Sequence, residues 1–484
     1  MRTRSLKSAS SSGGGEEAGA DEADAAGYFP PLIGFITSKW GPPLDLTNPD
    51  AYTWWQERIV KGYANLEIEG YKLDYAEDVT VGILGKRTAW EFADGSTERT
   101  MHKRYSELYH RVYAETLPPT GGFLLCRAAT FGGQRLASVI WPGDLEASLR
   151  RHREKADGYV SVGGLPAAVS AGLSLGPSGF PFFASDTGGY RHSPPSRETF
   201  TRWFEHTALT PVMQIGTSTN DVAWEPTPEN GFDAAMLGWY REYTRLHLRL
   251  FPYLWTYAER LAVDGRPIMR ALGLAHPELG VHPPDIYLLG DELLVAPVIT
   301  AGATSREVTF PAGAWVDWFN GQVFEGSQSV EVDAPLEKLP LYLRAGGIVP
   351  LLRPTIDTLA PVAEGAPIDS YAADPGLLYP VTTPGPASEF ELFDGTLVDQ
   401  DAGPELLALA LYPGDTFDQG AVFTVIAAGA PPLAVADNRS PLAELPDLAA
   451  LEGASSGWLH LPERGGTLLI KVGPGSHAIA VTPG

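Results

Sequence analysis

Short apolar runs alternate with longer stretches of helical periodicity between Gly27 and about residue 264. Five runs predict strands, at residues 71–75, 122–128, 137–144, 179–186 and 209–216. Strands that alternate with helices are typical of a parallel sheet, because each parallel connection needs a crossover. The pattern therefore predicts an α/β domain over residues 28–264.

Two helices are predicted to cover this sheet. The first has Thr47 or Asn48 as its N-cap and Pro49 in its first turn, where proline is favoured. The second carries an apolar stripe from Tyr105 to Val112 and ends before a Pro-Pro pair. A longer aromatic-rich helical stretch, "AAMLGWYREYTRLHLRLFPYLWTYAERL", closes the α/β region.

The pattern changes near residue 265, where short strands are broken by Gly and Pro, as in "LPLYLRAGGIVPLL". This pattern predicts a proximal β-sandwich over residues 265–353 and a second, distal β-domain over residues 388–484. Residues 354–387, rich in Pro and Ala, are interpreted as a linker between them. Residues 1–27 are Ser, Gly, Ala and acidic residues, and we expect them to form a disordered tail.

Charge and composition restrict the possible functions. With 35 basic and 59 acidic side chains the net charge is −24, which repels nucleic-acid phosphates and anionic membranes. We therefore expect neither nucleic acid nor membrane as a partner. Aromatic residues make up 10% of the chain, and such rings often line sugar sites.

Other classes lack their characteristic residues. The single cysteine, Cys126, excludes an intrachain disulfide and a cysteine-based zinc site. The sequence contains no Gly-x-Ser-x-Gly elbow, phosphate loop, dinucleotide fingerprint or His-Glu-x-x-His motif. It also shows no signal peptide and no run of about eighteen apolar residues.

Acidic side chains collect where the first predicted strand stops. The segment "EGYKLDYAED" places Asp74, Glu77 and Asp78 within five positions. These residues could form an ordinary loop of solvated charges. In a (β/α)8 barrel, however, the carboxyl ends of the strands form the active-site rim. Four of the five predicted strands end in, or just before, a charged or amide residue.

Two strand-end aspartates could carry out glycoside hydrolysis. The retaining route needs one carboxylate as nucleophile and one carboxyl as proton donor, roughly 5–5.5 Å apart. Asp74 and Asp144 close strands that we place two apart, so both could point at one central pocket. Either aspartate could equally be a helix cap.

Several segments resemble glycoside hydrolase family 31, the α-glucosidase and α-xylosidase family. They are "GYKLDYAED", "RAATFGGQR", "VIWPGD", "GFPFFASDTGGY" and, after the barrel region, "APLEKLPLYLRAGGIVP". They follow the family's order over roughly residues 28–352. The resemblance implies a (β/α)8-type barrel followed by β-sandwiches. It also implies a retaining α-glycosidase that acts on an α-linked oligosaccharide or glycoside and needs no metal or organic cofactor.

The resemblance also assigns roles to residues. It implies that Asp74 is the nucleophile and Asp144 the acid/base. Arg127 would favour the ionised form of Asp74, and a dry setting beside Trp141 would favour the protonated form of Asp144. Asp186 would hydrogen-bond sugar hydroxyls.

The remaining candidates have open alternatives. Gly188 and Gly189 would let the backbone approach closely. The segment that includes Asp186 could also be a simple Asx-turn. Glu77 could position a substrate hydroxyl or support its loop. Trp203 could wall the sugar site, although a core position is the stronger expectation.

The chain departs from the family in two places. Where many members carry Arg-x-His after the last barrel strand, it reads "PVMQIGTSTN", so Gln214 or Asn220 would replace the cations. The family's N-terminal sandwich and first three barrel strands have no counterpart, which predicts a barrel truncated at its N-terminal side. We therefore expect the chain alone to be inactive or nearly so. The alternatives are a non-catalytic carbohydrate-binding remnant and a transglycosylase.

Overall fold

The computed structural model describes residues 15–31, 42–63, 68–77, 90–156, 158–216 and 231–484. By its contacts the chain divides into two compact units. The first unit runs to Gly143 and includes Phe182–Ala184, and the second comprises Asp144–Pro181 and Ser185–Gly484. The predicted domain boundaries at residues 264, 353 and 387 stay predictions.

A parallel sheet lies at the centre of the first unit. The elements in chain order are helices α1 (Gly15–Ala25) and α2 (Pro49–Tyr63), strand β1 (Gly70–Leu73), helix α3 (Glu98–Ala114), and strands β2 (Phe123–Cys126) and β3 (Val139–Ile140). Strands β1, β2 and β3 pair side by side in parallel, with Leu73 opposite Cys126 and Cys126 opposite Ile140. A bridge from Ile140 to Phe183 extends the sheet. The predicted parallel sheet is therefore confirmed at these strands.

Helix α1 lies inside the segment that we expected to be disordered. Its Glu22 accepts hydrogen bonds from Trp54 Nε1 at 2.8 Å and from Arg58 Nη1 at 2.9 Å. Its Ala23 is 1% exposed. The expectation of disorder is thus wrong for Gly15–Ala25, because alanine and glutamate favour helix and these contacts dock it on α2.

Helices α2 and α3 agree with the sequence pattern. Helix α2 begins at Pro49, and α3 follows Thr97, whose side chain forms a capping box with Thr100. The apolar stripe of α3, including Tyr105 and Val112, is buried.

The second unit begins with the hairpin of β4 (Lys155–Ala156) and β5 (Tyr159–Val160), and helices follow it along the chain. Its helices are α4 (Leu165–Leu175), α5 (Arg197–Thr207), α6 (Ala234–Arg249) and α7 (Phe251–Asp264). The aromatic-rich stretch thus forms two helices that meet at Leu250, with Pro252 in the first turn of α7. The strand predicted at 209–216 is reduced to one parallel bridge, between Asp186 and Gln214.

A six-stranded antiparallel sheet follows the helices. Its strands are β6 (Met269–Ala271), β7 (Tyr287–Leu289), β8 (Leu293–Val295), β10 (Ala314–Asp317), β11 (Val323–Glu325) and β13 (Leu341–Arg344), in the order β11-β10-β13-β8-β7-β6. The short helix α8 (Leu272–Ala275) follows β6. The pair β9 (Ser305–Phe310) and β12 (Gln328–Asp333) packs over a core that includes Leu288, Trp315 and Tyr342. We call strands β6–β13 the proximal β-domain.

Two further sheets form the distal β-domain. The first contains β14 (Ile348–Leu351), β15 (Tyr379–Thr382), β19 (Ala421–Val425), β22 (Gly457–Leu461) and β23 (Thr467–Val472). The second contains β16 (Ser388–Glu391), β17 (Leu397–Ala402), β18 (Leu407–Tyr412), β20 (Ala434–Asp437), β21 (Ser440–Pro441) and β24 (His477–Thr482), and helix α9 spans Leu448–Gly453. Strand β15 lies within the predicted linker, residues 354–387. The end of this segment therefore belongs to a sheet, where β15 pairs with β14 and β19.

None of the helices in the described ranges combines the length and apolar character needed to cross a membrane.

Candidate active site

Asp74 stands at the carboxyl end of β1. Leu73 before it is 2% exposed, whereas the Asp74 side chain is 47% exposed. Tyr75 and Ala76 then adopt φ angles of 66° and 74°, a left-handed conformation that is rare for residues other than glycine. The Tyr75 N–H donates to Asp74 Oδ1 at 2.8 Å. The strand therefore ends in a strained turn that presents the carboxylate.

Arg127 joins Asp74 to Glu77. Because Leu73 pairs with Cys126, the next residue on each strand is placed side by side. Arg127 Nη1 lies 3.1 Å from Asp74 Oδ1, and its Nε lies 2.8 Å from Glu77 Oε1. The guanidinium also lies over the Tyr75 ring, 4.8 Å from its centroid. Charged hydrogen bonds of this kind fix orientation strongly, so the predicted Asp74, Glu77 and Arg127 form one cluster.

Gly143 makes room for this arginine. Its φ is 76°, and a Cβ added there would lie 2.8 Å from Arg127 Nε. Glycine is therefore needed here for both its backbone conformation and its size. Our sequence reasoning passed over Gly143, although its place in "WPGD", directly before a candidate catalytic aspartate, was the available signal.

Trp141 directly follows β3 and is 1% exposed. Its backbone N–H donates to the Cys126 carbonyl at 3.2 Å, and Lys72 Nζ lies 4.6 Å from the centroid of its ring. Lys72 was also missed by sequence reasoning. Alternation along β1 puts it on the same side as Asp74, which was the signal for it. Asp144 is the first residue of the second unit and is half-buried.

Asp186 is held by a neutral partner in the second unit. It is 4% exposed, and its Oδ1 accepts a hydrogen bond from Gln214 Nε2 at 3.0 Å. A Cβ on Gly216 would lie 2.5 Å from the same oxygen. Two residues predicted independently, Asp186 and Gln214, are thus brought into direct contact.

The glycines after Asp186 serve packing. Gly188 and Gly189 have φ angles of 92° and 84°, as expected for a backbone that only glycine adopts easily. A Cβ on Gly188 would lie 2.8 Å from the Phe200 ring, and one on Gly189 would lie 2.5 Å from the backbone of Ala147. The close approach that we expected is therefore made to the protein's own chain.

Trp203 is 0% exposed and donates from Nε1 to Ser185 Oγ at 3.0 Å. This burial agrees with the core alternative for Trp203, and a sugar-wall role stays a prediction. Ser185 and Thr187, on either side of Asp186, are buried polar residues that our sequence reasoning missed. Asp78 and Asn220 lie outside the described residues.

The chemistry available in these clusters is that of carboxylates and hydrogen-bond donors. Among the described residues, no three His, Cys, Asp or Glu side chains are grouped so that they could hold a metal ion. Each cluster combines an aspartate with a nitrogen donor, arginine in one and glutamine in the other. Such groups can carry charge, accept hydrogen bonds from hydroxyls and transfer protons.

Comparisons with known proteins show which family the two regions of the chain match. The model of the "Glycosyl hydrolases family 31 TIM-barrel domain" matches residues 16–257. The model of the "Glycosyl hydrolase family 31 C-terminal domain" matches residues 265–349. These matches confirm the predicted fold class, a barrel-type α/β domain followed by β-domains.

Two curated proteins are similar to this chain in sequence. The chain is 32% identical over 318 residues to a sulfoquinovosidase of Escherichia coli, covering 63% of this chain and 43% of that protein. It is 31% identical over 317 residues to alpha-glucosidase 2 of Bacillus thermoamyloliquefaciens, covering 63% and 38%. The chain thus spans less than half the length of these curated relatives.

A solved structure shows the same fold. The cycloalternan-forming enzyme of Listeria monocytogenes, in complex with a pentasaccharide substrate, has a TM-score of 0.77 at 22% identity. The likeness covers 98% of this chain and 44% of that chain.

Proposed function

Because the chain belongs to glycosyl hydrolase family 31, we propose that the protein cleaves α-linked oligosaccharides or glycosides by the retaining route, with Asp74 as nucleophile and Asp144 as acid/base. The observation that carries this proposal is the cluster at the end of β1. There Arg127 binds both Asp74 and Glu77 and fixes a carboxylate that is 47% exposed. A nucleophilic carboxylate needs this combination of orientation and access.

In the first step an oxygen of Asp74 attacks the anomeric carbon and forms a glycosyl ester. The bond from that carbon to the leaving oxygen breaks, its electron pair stays on the oxygen, and Asp144 donates a proton to it. In the second step Asp144 takes a proton from water, the water oxygen attacks the anomeric carbon, and the Asp74 carboxylate leaves. Two inversions give net retention.

The other residues bind and orient the substrate. Arg127, which also binds Glu77, keeps the Asp74 carboxylate aligned, and Trp141 forms part of the wall beside them. Asp186, with Gln214 on its Oδ1, accepts hydrogen bonds from sugar hydroxyls. These roles follow the family resemblance, and the contacts within each unit support them.

Covalent trapping tests the nucleophile. After incubation of the full-length protein with a slow fluorinated α-glycoside, mass spectrometry of peptides should show one added sugar on the peptide that contains Asp74. An Asp74→Ala variant should neither react nor turn over substrate. The matched control is Asp357→Ala, because Asp357 is also an exposed aspartate paired with an arginine, at 3.4 Å from Arg245. Labelling of another peptide, with Asp74→Ala still active, would overturn the assignment.

Leaving-group dependence tests the acid/base. An Asp144→Ala variant should lose far more rate on substrates with poor leaving groups than on activated aryl glycosides, since only the former need the proton. Azide should restore part of the turnover and give the glycosyl azide of retained configuration, because it replaces water in the second displacement. Equal losses on both classes of substrate, with no azide product, would contradict this role.

A further inference from the structure

Helix α5 holds the residues on both sides of Asp186. Trp203 Nε1 donates to Ser185 Oγ at 3.0 Å, and Thr207 Oγ1 lies 3.0 Å from Thr187 Oγ1. Trp203 and Thr207 are four residues apart, so they share one face of the helix. This face therefore binds the side chains of the residues directly before and after the aspartate.

These contacts lie in the protein interior. Trp203, Thr207 and Thr187 are 0% exposed, and Ser185 is 1% exposed. A buried donor that loses its partner suffers the full cost of desolvation. Loss of the hydrogen bond from Trp203 to Ser185 would therefore be costly, and this cost restricts the movement of the segment that carries Asp186.

The neighbouring residue of α5 anchors the helix to the proximal β-domain. Arg202 is 1% exposed and donates to four backbone carbonyls, those of Ala303, Ala334, Pro335 and Lys338, at 3.2, 2.7, 3.0 and 3.3 Å. These carbonyls lie in the segments before β9 and between β12 and β13. A charged donor shared among several fixed acceptors makes a rigid connection.

We propose that Trp203 and Thr207 are positioning residues for Asp186, and that Arg202 makes the proximal β-domain part of this support. This inference rests on the proposed function, in which Asp186 binds sugar hydroxyls. It gives the buried tryptophan a role in the reaction without contact with the sugar. Small displacements of binding groups reduce rates steeply, so loss of this support lowers kcat/KM.

Conservative substitutions test the proposal. Trp203→Phe keeps a large ring and removes the N–H, and Thr207→Val keeps the shape and removes the hydroxyl. Each should lower kcat/KM by roughly tenfold, mainly through KM. The control is Trp315→Phe, because Trp315 is 1% exposed and donates its Nε1 to the Pro311 carbonyl at 3.1 Å in the proximal β-domain. The melting temperature of Trp315→Phe should fall about as much as that of Trp203→Phe, but its kcat/KM should stay unchanged.

A double-mutant comparison separates positioning from general stability. In an Asp186→Asn background, Trp203→Phe should produce no further loss of kcat/KM, because its effect passes through Asp186. Arg202→Lys should likewise lower kcat/KM in the wild-type background and cause no further loss in the Asp186→Asn background, since a single ammonium cannot donate to four carbonyls. If Trp203→Phe does not fold, Thr207→Val and Ser185→Ala provide the same measurement.

Two results would overturn the proposal. One is equal losses from Trp203→Phe in the wild-type and Asp186→Asn backgrounds. The other is an unchanged kcat/KM in both Trp203→Phe and Thr207→Val. If Asp186→Asn itself leaves kcat/KM unchanged, the sugar-binding role of Asp186 fails together with this inference, whereas covalent labelling of Asp74 still reports on the proposed reaction.

Discussion

Asp74 directly follows β1 and Asp186 lies in an isolated bridge with Gln214, and the contacts of the two carboxylates differ. The Asp74 side chain is 47% exposed and is bound by the charged Arg127. Asp186 is 4% exposed and is bound by the neutral amide of Gln214. An exposed carboxylate needs a strong charged partner to fix it against water. A buried one can accept a hydrogen bond from a neutral donor such as this amide, which adds no buried charge of its own.

The backbone conformations that follow the two aspartates also differ, in the type of residue that adopts a positive φ angle. After Asp74, Tyr75 and Ala76 take left-handed conformations that are costly for residues with a Cβ. After Asp186, the corresponding conformations fall on Gly188 and Gly189, where they cost little. Strain is stored beside the proposed nucleophile and is absent beside the proposed binding residue.

Among the changes that leave both aspartates in place, the largest effect should come from crowding the charged cluster. In Gly143→Ala the new Cβ would lie 2.8 Å from Arg127 Nε and displace the guanidinium from Asp74 and Glu77. We expect kcat/KM to fall by about a hundredfold, measured on an activated aryl α-glycoside.

Gly95→Ala is the matched control for this change. Gly95 has a φ of 78°, close to the 76° of Gly143, but nothing lies within 4 Å of the position of its Cβ. This variant should lose about 1 kcal/mol of stability and keep its activity. Equal activity of the two variants would show that the Arg127 geometry is not required.

The charged cluster was largely predictable from the sequence, and the buried support was not. Asp74 and Arg127 each directly follow a strand, so parallel pairing alone brings them together. Trp203 has a side chain equally suited to a sugar site and to a core. Only the position of Ser185, eighteen residues away, decides which contact it makes.

Other differences also arise from distant contacts. Helix α1 has the composition of a disordered tail and is ordered by contacts of Glu22 with α2. Helix α5 contains Arg202 and Glu205, which are typical of an exposed face, yet both are buried. Local composition does not show which other segment will cover a helix.

The second prediction makes the neutral site resemble the charged one. Gln214→Glu places a second carboxylate beside Asp186 Oδ1, where the amide nitrogen now lies at 3.0 Å. Two adjacent carboxylates repel each other until they share a proton. We expect kcat/KM to fall by about tenfold at neutral pH and to recover as the pH is lowered.

Gln419→Glu is the control for this prediction. Gln419 Nε2 donates to Asp374 Oδ1 at 2.8 Å in an exposed pair far along the chain. This variant should keep the pH profile of the wild type. A wild-type profile for Gln214→Glu as well would show that Asp186 tolerates a charged neighbour and would break the comparison.

The smallest effect concerns a proton buried in α5, the helix that supports Asp186. Glu205 is 0% exposed, and one of its oxygens lies 3.2 Å from Arg202 Nη1. Burial raises the pKa of Glu205 to about 8, and the charge of Arg202 opposes this rise. This region should therefore show a stability that depends on pH.

The direction of this pH dependence follows from whether the folded or the unfolded state binds the proton of Glu205. Between the ordinary pKa of 4.5 and about 8, folded Glu205 stays protonated while the unfolded chain releases the proton. The contribution to stability is complete below this window and is lost as the pH rises through it, at up to about 1.4 kcal/mol per pH unit. Glu205→Gln is neutral at every pH and should remove this dependence. Relative to the wild type, the Tm of this variant should therefore increase as the pH rises.

Glu198→Gln on the same helix is the control, and its Tm, measured by calorimetry, should change with pH as that of the wild type does. If the Tm of Glu205→Gln and the wild type change in parallel across the window, Glu205 is ionised in the folded protein and α5 rests on a charged pair after all.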